Sequence, residues 1–302
     1  MKRLLPVLGA LAWVALSGCS IKKIAINSLG NALASGGSTY AEDDDPDLVR
    51  EAVPFGLKTI EGLLAESPRH RGLLLAAASG FTQYGYAFIQ QEADFAESRD
   101  LRAATALRDR SRKHYKRAIE YGLRGLELDF PGLRDRLRRD PEAALSRTSK
   151  RHVPLLYWTG LAWGAAIAIS KEDSELTADQ YVMEAIMRRA LALDEGYESG
   201  SIHDFFIAFE GGRPASAGGS LEQAKHHLER ALFFAKGRRA APLVTYAETV
   251  SVGRQDRQEF SKLLEQALAI DANQAKELRL SNLVYQRRAR WLLERTDELI
   301  LE

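Results

Sequence analysis

Apolar residues recur along this chain three and four positions apart, the spacing of one helix face, and the recurrences are interrupted by Pro, Gly and Asp. The pattern predicts helices over Asp47–Ala65, from Pro68 to about Ala96, over Ser98–Leu128, and a short one from Pro141. It continues with a helix entered near Pro154, then Thr177–Leu193, Ile202–Glu210, Ser220–Ala235, Pro242–Val252, Gln255–Ile270 and Asn273–Ile300. Pro54 is expected to kink the first of these, and the turn "DFPG" to end the third. Ala, Leu, Arg and Glu dominate while β-branched residues are sparse, so the expected fold class is all-α.

Several helices share one phrase: "YKRAIEYGLRGLELDF", "IMRRALALDEGY", "HLERALFFAKG" and "LLEQALAIDAN". Each sets an alanine among large apolar residues and closes on a polar terminator. A small residue there lets a neighbouring helix approach closely, as in the second helix of tetratricopeptide-like pairs. The anchoring alanines are Ala118, Ala190, Ala231 and Ala267, spaced 72, 41 and 36 residues apart. The last two intervals approach the repeat period of about 34, and the first is about two repeats. Stacked helical hairpins, forming a curved layer or a closed ring, are therefore expected, against an irregular bundle with Ala-rich packing.

The uncharged run Val153 to Ser170 spans eighteen residues. A membrane-spanning helix needs about 20 apolar residues, and this run reaches its length only by including Pro154, Tyr157, Thr159 and Ser170. Gly160, Gly164 and Ala168 recur every fourth residue as one smooth face, suited to tight packing. Ordinary charged sequence flanks the run, so a buried helix is the better reading. Its other faces carry Tyr157, Trp158 and Trp163; further aromatics cluster in "FTQYGYAFIQ" and around His203. They either fill the core or line an apolar passage.

The N-terminus stands apart. "MKRLLPVLGALAWVALSGCS" places two basic residues before a short apolar run that ends in small residues and Cys19, the sequence's single cysteine. Residues 1–18 read as a lipoprotein signal peptide, Cys19 as the lipidated residue, and 19–45 as a tether. A helical domain fills 46–302. Attachment would then be to the periplasmic face of a bacterial membrane through acyl chains. Ser20 after the cysteine leans toward the outer membrane. Without residues 1–18 the chain has 40 basic and 41 acidic side chains, which gives no electrostatic reason for nucleic acid as a partner.

Catalytic and metal-binding patterns do not emerge. His226 and His227 are neighbours pointing in two directions, with no HExxH or Cys/His cluster beside them. His203 and Asp204 are adjacent on a helix and do not face each other. "GGRPASAGGS" matches no phosphate loop, and no GxSxG is present. Neither an enzyme nor a cofactor is expected. "EDDDPD" (Glu42–Asp47) lacks the ligand alternation of a calcium loop and suits a helix start. The run Arg134–Arg151 has seven basic and three acidic side chains, and reads as a solvated connection or a contact for anionic headgroups or an acidic partner.

A longer likeness joins these pieces. The stretches "DPDLVREAVPFGLKTIEGLLAESP", "LLLAAASGFTQYGYAFIQQEAD", "VPLLYWTGLAWGAAIAIS", "RALALDEGYESGSIHDF" and "RLSNLVYQRRARWLLE" occur in order from about Asp45 to Glu302. Together they resemble the T-component lipoproteins of TRAP transporters (TatT-like proteins). That resemblance implies a periplasmic tetratricopeptide-like homotrimer that associates with the substrate-binding P component. It also implies a hydrophobic pore through each protomer for an apolar, fatty-acid-like ligand, and no catalytic motif. The candidate pore-lining residues here are Tyr84, Tyr86, Phe88, Tyr157, Trp158, Trp163, His203 and Phe206. A scaffold for envelope assembly that binds peptides on a concave surface is the alternative.

Overall fold

The computed structural model describes residues 28–32 and 37–301, and every regular element among them is a helix. The leader and Cys19 lie outside the described residues. Ten of the helices are numbered here: α1 (Pro46–Glu66), α2 (Arg71–Gly85), α3 (Leu101–Glu127), α4 (Val153–Ala168) and α5 (Gln180–Leu193), then α6 (Ser201–Gly211), α7 (Leu221–Ala235), α8 (Ala241–Tyr246), α9 (Arg257–Leu268) and α10 (Arg279–Glu294).

Local chemistry sets their ends. Asp45, Asp100, Ser220 and Asp256 each accept backbone N–H bonds from the first turn of the helix that follows, replacing hydrogen bonds the first turn otherwise lacks. The α1 helix continues through Pro54. Two π-turns interrupt the regular ladder. Tyr86–Gln90 joins α2 to a further turn, Gln91–Ala96, and Ala247–Ser251 extends α8. Such turns are not visible in apolar spacing, because they re-aim side chains without ending the helix. The basic run also differs from a plain connection, since Leu133–Arg139 is helical and buries Leu133 and Leu137. Part of the expected tether is likewise ordered against the domain. Gly30 packs on Leu73 and His70, and Arg279 Nη1 donates to the Glu42 carbonyl at 2.9 Å.

The helices pack successively, α1 on α2, α2 on α3, α3 on α4 and α4 on α5, around one large core from Leu57 to Phe206. Helices α6, α7 and α8 share a second cluster containing Ile207, Ala231 and Tyr246. Residues of α8, α9 and α10 form a third, from Ala240 to Ile300. All four anchoring alanines (Ala118, Ala190, Ala231 and Ala267) are fully buried. The uncharged stretch is the core helix α4, and no described helix is long and apolar enough to cross a membrane.

Glycines explain how closely α4 is held. A Cβ on Gly122 would lie 2.0 Å from Thr159 Oγ1, and one on Gly125 would lie 2.7 Å from Leu155. On α4 itself, Gly160 meets Met187 and Gly164 meets Phe205 at similarly short range, so one face takes α5 and α6 while α3 closes from another side. Ala168, the third member of the expected smooth face, is exposed at the helix end.

Gly122→Ala is expected to destabilise the fold by about 1–3 kcal/mol through overpacking against Thr159. Gly62→Ala, where a Cβ meets nothing within 4 Å, should stabilise α1 by about 0.5–1 kcal/mol. Urea unfolding of the two variants checks the contrast.

Candidate functional site

The end of the chain returns to its beginning. Helix α10 lies against the first π-turn and the residues after it, closing the succession of helices into a ring. Tyr285 meets Tyr86 with ring centroids 5.8 Å apart, and Trp291 meets Phe95 at 5.2 Å. Arg287 pairs with Glu92 at 2.8 Å. Arg288 is almost wholly buried; its Nη1 lies 2.9 Å from Asp94, and its guanidinium forms a two-pronged pair with Glu248. The same guanidinium sits 4.4 Å over the Trp291 ring. Burial opposes the charge on Arg288, but the carboxylates of Glu248 and Asp94 more than offset it and raise its pKa. Each π-turn therefore supplies one side of this seam, Tyr86 from the first and Glu248 from the second.

Inside the seam the interior is aromatic and polar. Burial pushes the Tyr86 phenol up to about 12, with Glu248 adding to the shift. Burial likewise raises Tyr285 well above the ordinary range, and Tyr86 adds to it. Yet Tyr86 and Tyr285 both keep accessible surface. Both phenols are therefore surrounded mainly by protein, although neither residue is fully buried. The Tyr157 phenol is also raised by burial, and the next contribution comes from Asp204. Asp204 pairs with the buried Arg239, whose Nη1 also donates to the Ser199 carbonyl at 3.3 Å. Burial raises the Asp204 pKa, and Arg239 offsets this only in part. Tyr157 stacks edge-on against Trp158 at 4.8 Å and meets Tyr197 at 5.3 Å.

Of the eight nominated residues, Tyr86, Tyr157 and Trp158 belong to this arrangement, with Tyr86 and Trp158 half-buried and Tyr157 buried. Tyr84 and Phe88 contact each other, and Tyr84 also turns to His114 of α3. Trp163 is buried in the α4 core, and its indole N–H has no hydrogen-bond partner. His203 and Phe206 join a separate cluster on α6 and α7. There His203 Nδ1 lies 2.9 Å from His227 Nδ1, and the His227 ring stacks on Phe206 at 4.9 Å. His203 and Asp204 do point apart, one to His227 and the other to Arg239. The aromatic list omitted Tyr285, Tyr197 and the Asp204–Arg239 pair. A buried charge is recognisable only beside its partner, and Arg239 stands 35 residues from Asp204. Among the described residues no group of three His, Cys, Asp or Glu side chains could hold a metal ion.

Residues 42–300 match the sequence family described as the TRAP transporter T-component. This chain belongs to that family. An uncharacterized protein of Treponema pallidum (strain Nichols) is 30% identical over 304 aligned positions, covering 95% of this chain and 94% of its own length. As a TRAP T-component, the chain is an accessory of TRAP transport and is associated with that transport system. The family fits a membrane-associated periplasmic location in bacteria.

The histidine pair gives the T-component a measurable pH response. Burial pushes both His203 and His227 down to about 4, the like-charged neighbours of His227 adding to its shift and Glu195 opposing that of His203. Their unfolded pKa lies near 6.5, so between those values the unfolded chain binds more protons and stability falls as pH falls. The urea midpoint should drop from pH 6.5 to 4, and the drop should shrink in a His203→Phe/His227→Leu double variant.

Proposed function

We propose that this T-component is held to the periplasmic face of the membrane by an acylated Cys19, engages the substrate-binding P component, and shelters a hydrophobic small molecule inside its helical ring. The working form is a homotrimer, as in the family it resembles. The observation that carries this reading is the state of Tyr86 and Tyr285, both accessible and both strongly desolvated at the seam where the ring closes. Trp158 and the Tyr157 ring offer apolar area beside them, while the three phenols and the Asp204–Arg239 pair offer hydrogen bonds to a polar end. The ligand favoured by this lining has an apolar body and at least one polar group.

Native mass spectrometry of the mature chain, purified from the envelope fraction without added lipid, tests the proposal. A trimer that releases a lipophilic adduct on denaturation is the expected result. A ligand-free species in repeated preparations would move the reading toward a peptide-binding scaffold. Trp158→Ala should lower adduct occupancy several-fold while costing less than about 2 kcal/mol in stability. A loss of about 3–5 kcal/mol would mark Trp158 as ordinary core.

A further inference from the structure

The ring has one end where arginines gather faster than their partners. The turn between α1 and α2, the end of α3 and the approach to α4 come together there. Arg71 and Arg151 share the single carboxylate of Asp129, at 2.5 and 3.7 Å. His152 Nε2 approaches the same carboxylate at 3.1 Å. Arg124 donates to the Pro68 carbonyl and Arg136 to the Pro131 carbonyl, so both guanidinium groups satisfy hydrogen bonds without losing charge. Arg147 lines a concavity with Arg136, Asp129 and Phe130, and has no carboxylate partner among the described residues. With Arg69 and Arg139 these turns carry seven arginines, and Glu66, Glu127, Asp135, Asp140 and Glu142 join Asp129 as six carboxylates, so the arginines outnumber the acids by one before His70 and His152 are added. The remaining basic residues of the run are neutralised elsewhere: Arg134 by Glu120, Arg138 by Asp179 and Lys150 by Asp194.

The path of the chain says what this end faces. Residues 28–32 sit beside it, with Gly30 against His70 and Leu73 at the start of α2. Cys19 precedes residue 28 by nine residues, which extended span about 30 Å. A lipid anchor at Cys19 therefore brings residues 28–32, and the end of the ring beside them, within reach of the bilayer surface.

We infer that the arginine-rich end around Asp129, carried by Arg69–Arg71, Arg124, Arg136, Arg147 and Arg151, docks on the anionic headgroups of the membrane and orients the ring relative to it. The inference rests on the Cys19 anchor only for placing this end near lipid. The binding itself is electrostatic and needs no acyl chain. Each basic side chain near an anionic surface adds a modest attraction that falls away within a Debye length, so several together give reversible, salt-sensitive binding.

The test uses the full mature chain with Cys19→Ser, which removes the acyl chains, mixed with vesicles of phosphatidylcholine alone or with phosphatidylglycerol added. Sedimentation should show binding only to the anionic vesicles, lost in 0.5 M salt and reduced at least tenfold by Arg136→Glu/Arg147→Glu. The control pair Arg102→Glu/Lys225→Glu, exposed on other parts of the surface, should leave it unchanged. Equal partition into both vesicle types, or equal loss in the two double variants, overturns the inference. So does an arginine-dependent complex with an acidic envelope protein in the absence of any vesicle preference. Mass spectrometry of the wild-type chain reads Cys19 acylation separately. An unacylated chain that still prefers anionic vesicles would remove the anchor and leave the docking face.

Discussion

A guanidinium buried at the point where the chain closes on itself governs the architecture. Arg288 lies between Asp94, after the first π-turn, and Glu248, within the second. Two carboxylates around one arginine hold three distant parts of the sequence at fixed spacing. A charge taken so far from water is tolerable only while it remains paired, and removing one member leaves the other buried and unmatched. Tyr86–Tyr285 and Phe95–Trp291 then add aromatic contacts on either side of the clamp. Neither π-turn would be needed to build the local helix. Each brings one residue onto α10.

The other constraint is the near contact of backbones around α4. Gly122, Gly125, Gly160 and Gly164 allow α3, α5 and α6 to approach one apolar helix from several sides. This close packing accounts for a helix without charges in a chain whose charged content is ordinary. It also leaves Tyr157 and Trp158 on the side that turns to Tyr197 and the Asp204–Arg239 pair, where the lining becomes polar. Tight packing on one side and a polar, aromatic contact on the other are thus properties of one helix.

Helix positions and fold class were legible because apolar spacing and Pro, Gly and Asp punctuation act locally. Ala118, Ala190, Ala231 and Ala267 were legible for the same reason, since a small residue repeated among large ones has few uses besides close approach. The helix Leu133–Arg139 was hidden beneath its five charges, because only Leu133 and Leu137 betray a buried side. The candidate arrangement at the seam was legible only in part. Aromatic density marked Tyr86, Tyr157 and Trp158, but the same density marked Trp163, which belongs to the core, and His203 and Phe206, which pair with His227. Tyr285 and Arg239 carry no local signal. They matter because of residues brought to them from 199 and 35 positions away.

For an accessory of TRAP transport, closure of the ring decides whether an interior exists at all. The measurement that tests this most directly is a double-mutant cycle between Arg288→Met and Glu248→Gln, read by urea unfolding. A coupling energy of about 2 kcal/mol or more, as expected of a buried charge pair across the seam, is the result the account predicts. Additivity of the two substitutions to within about 0.5 kcal/mol would contradict it, because the last helix would then not depend on the clamp that closes the ring.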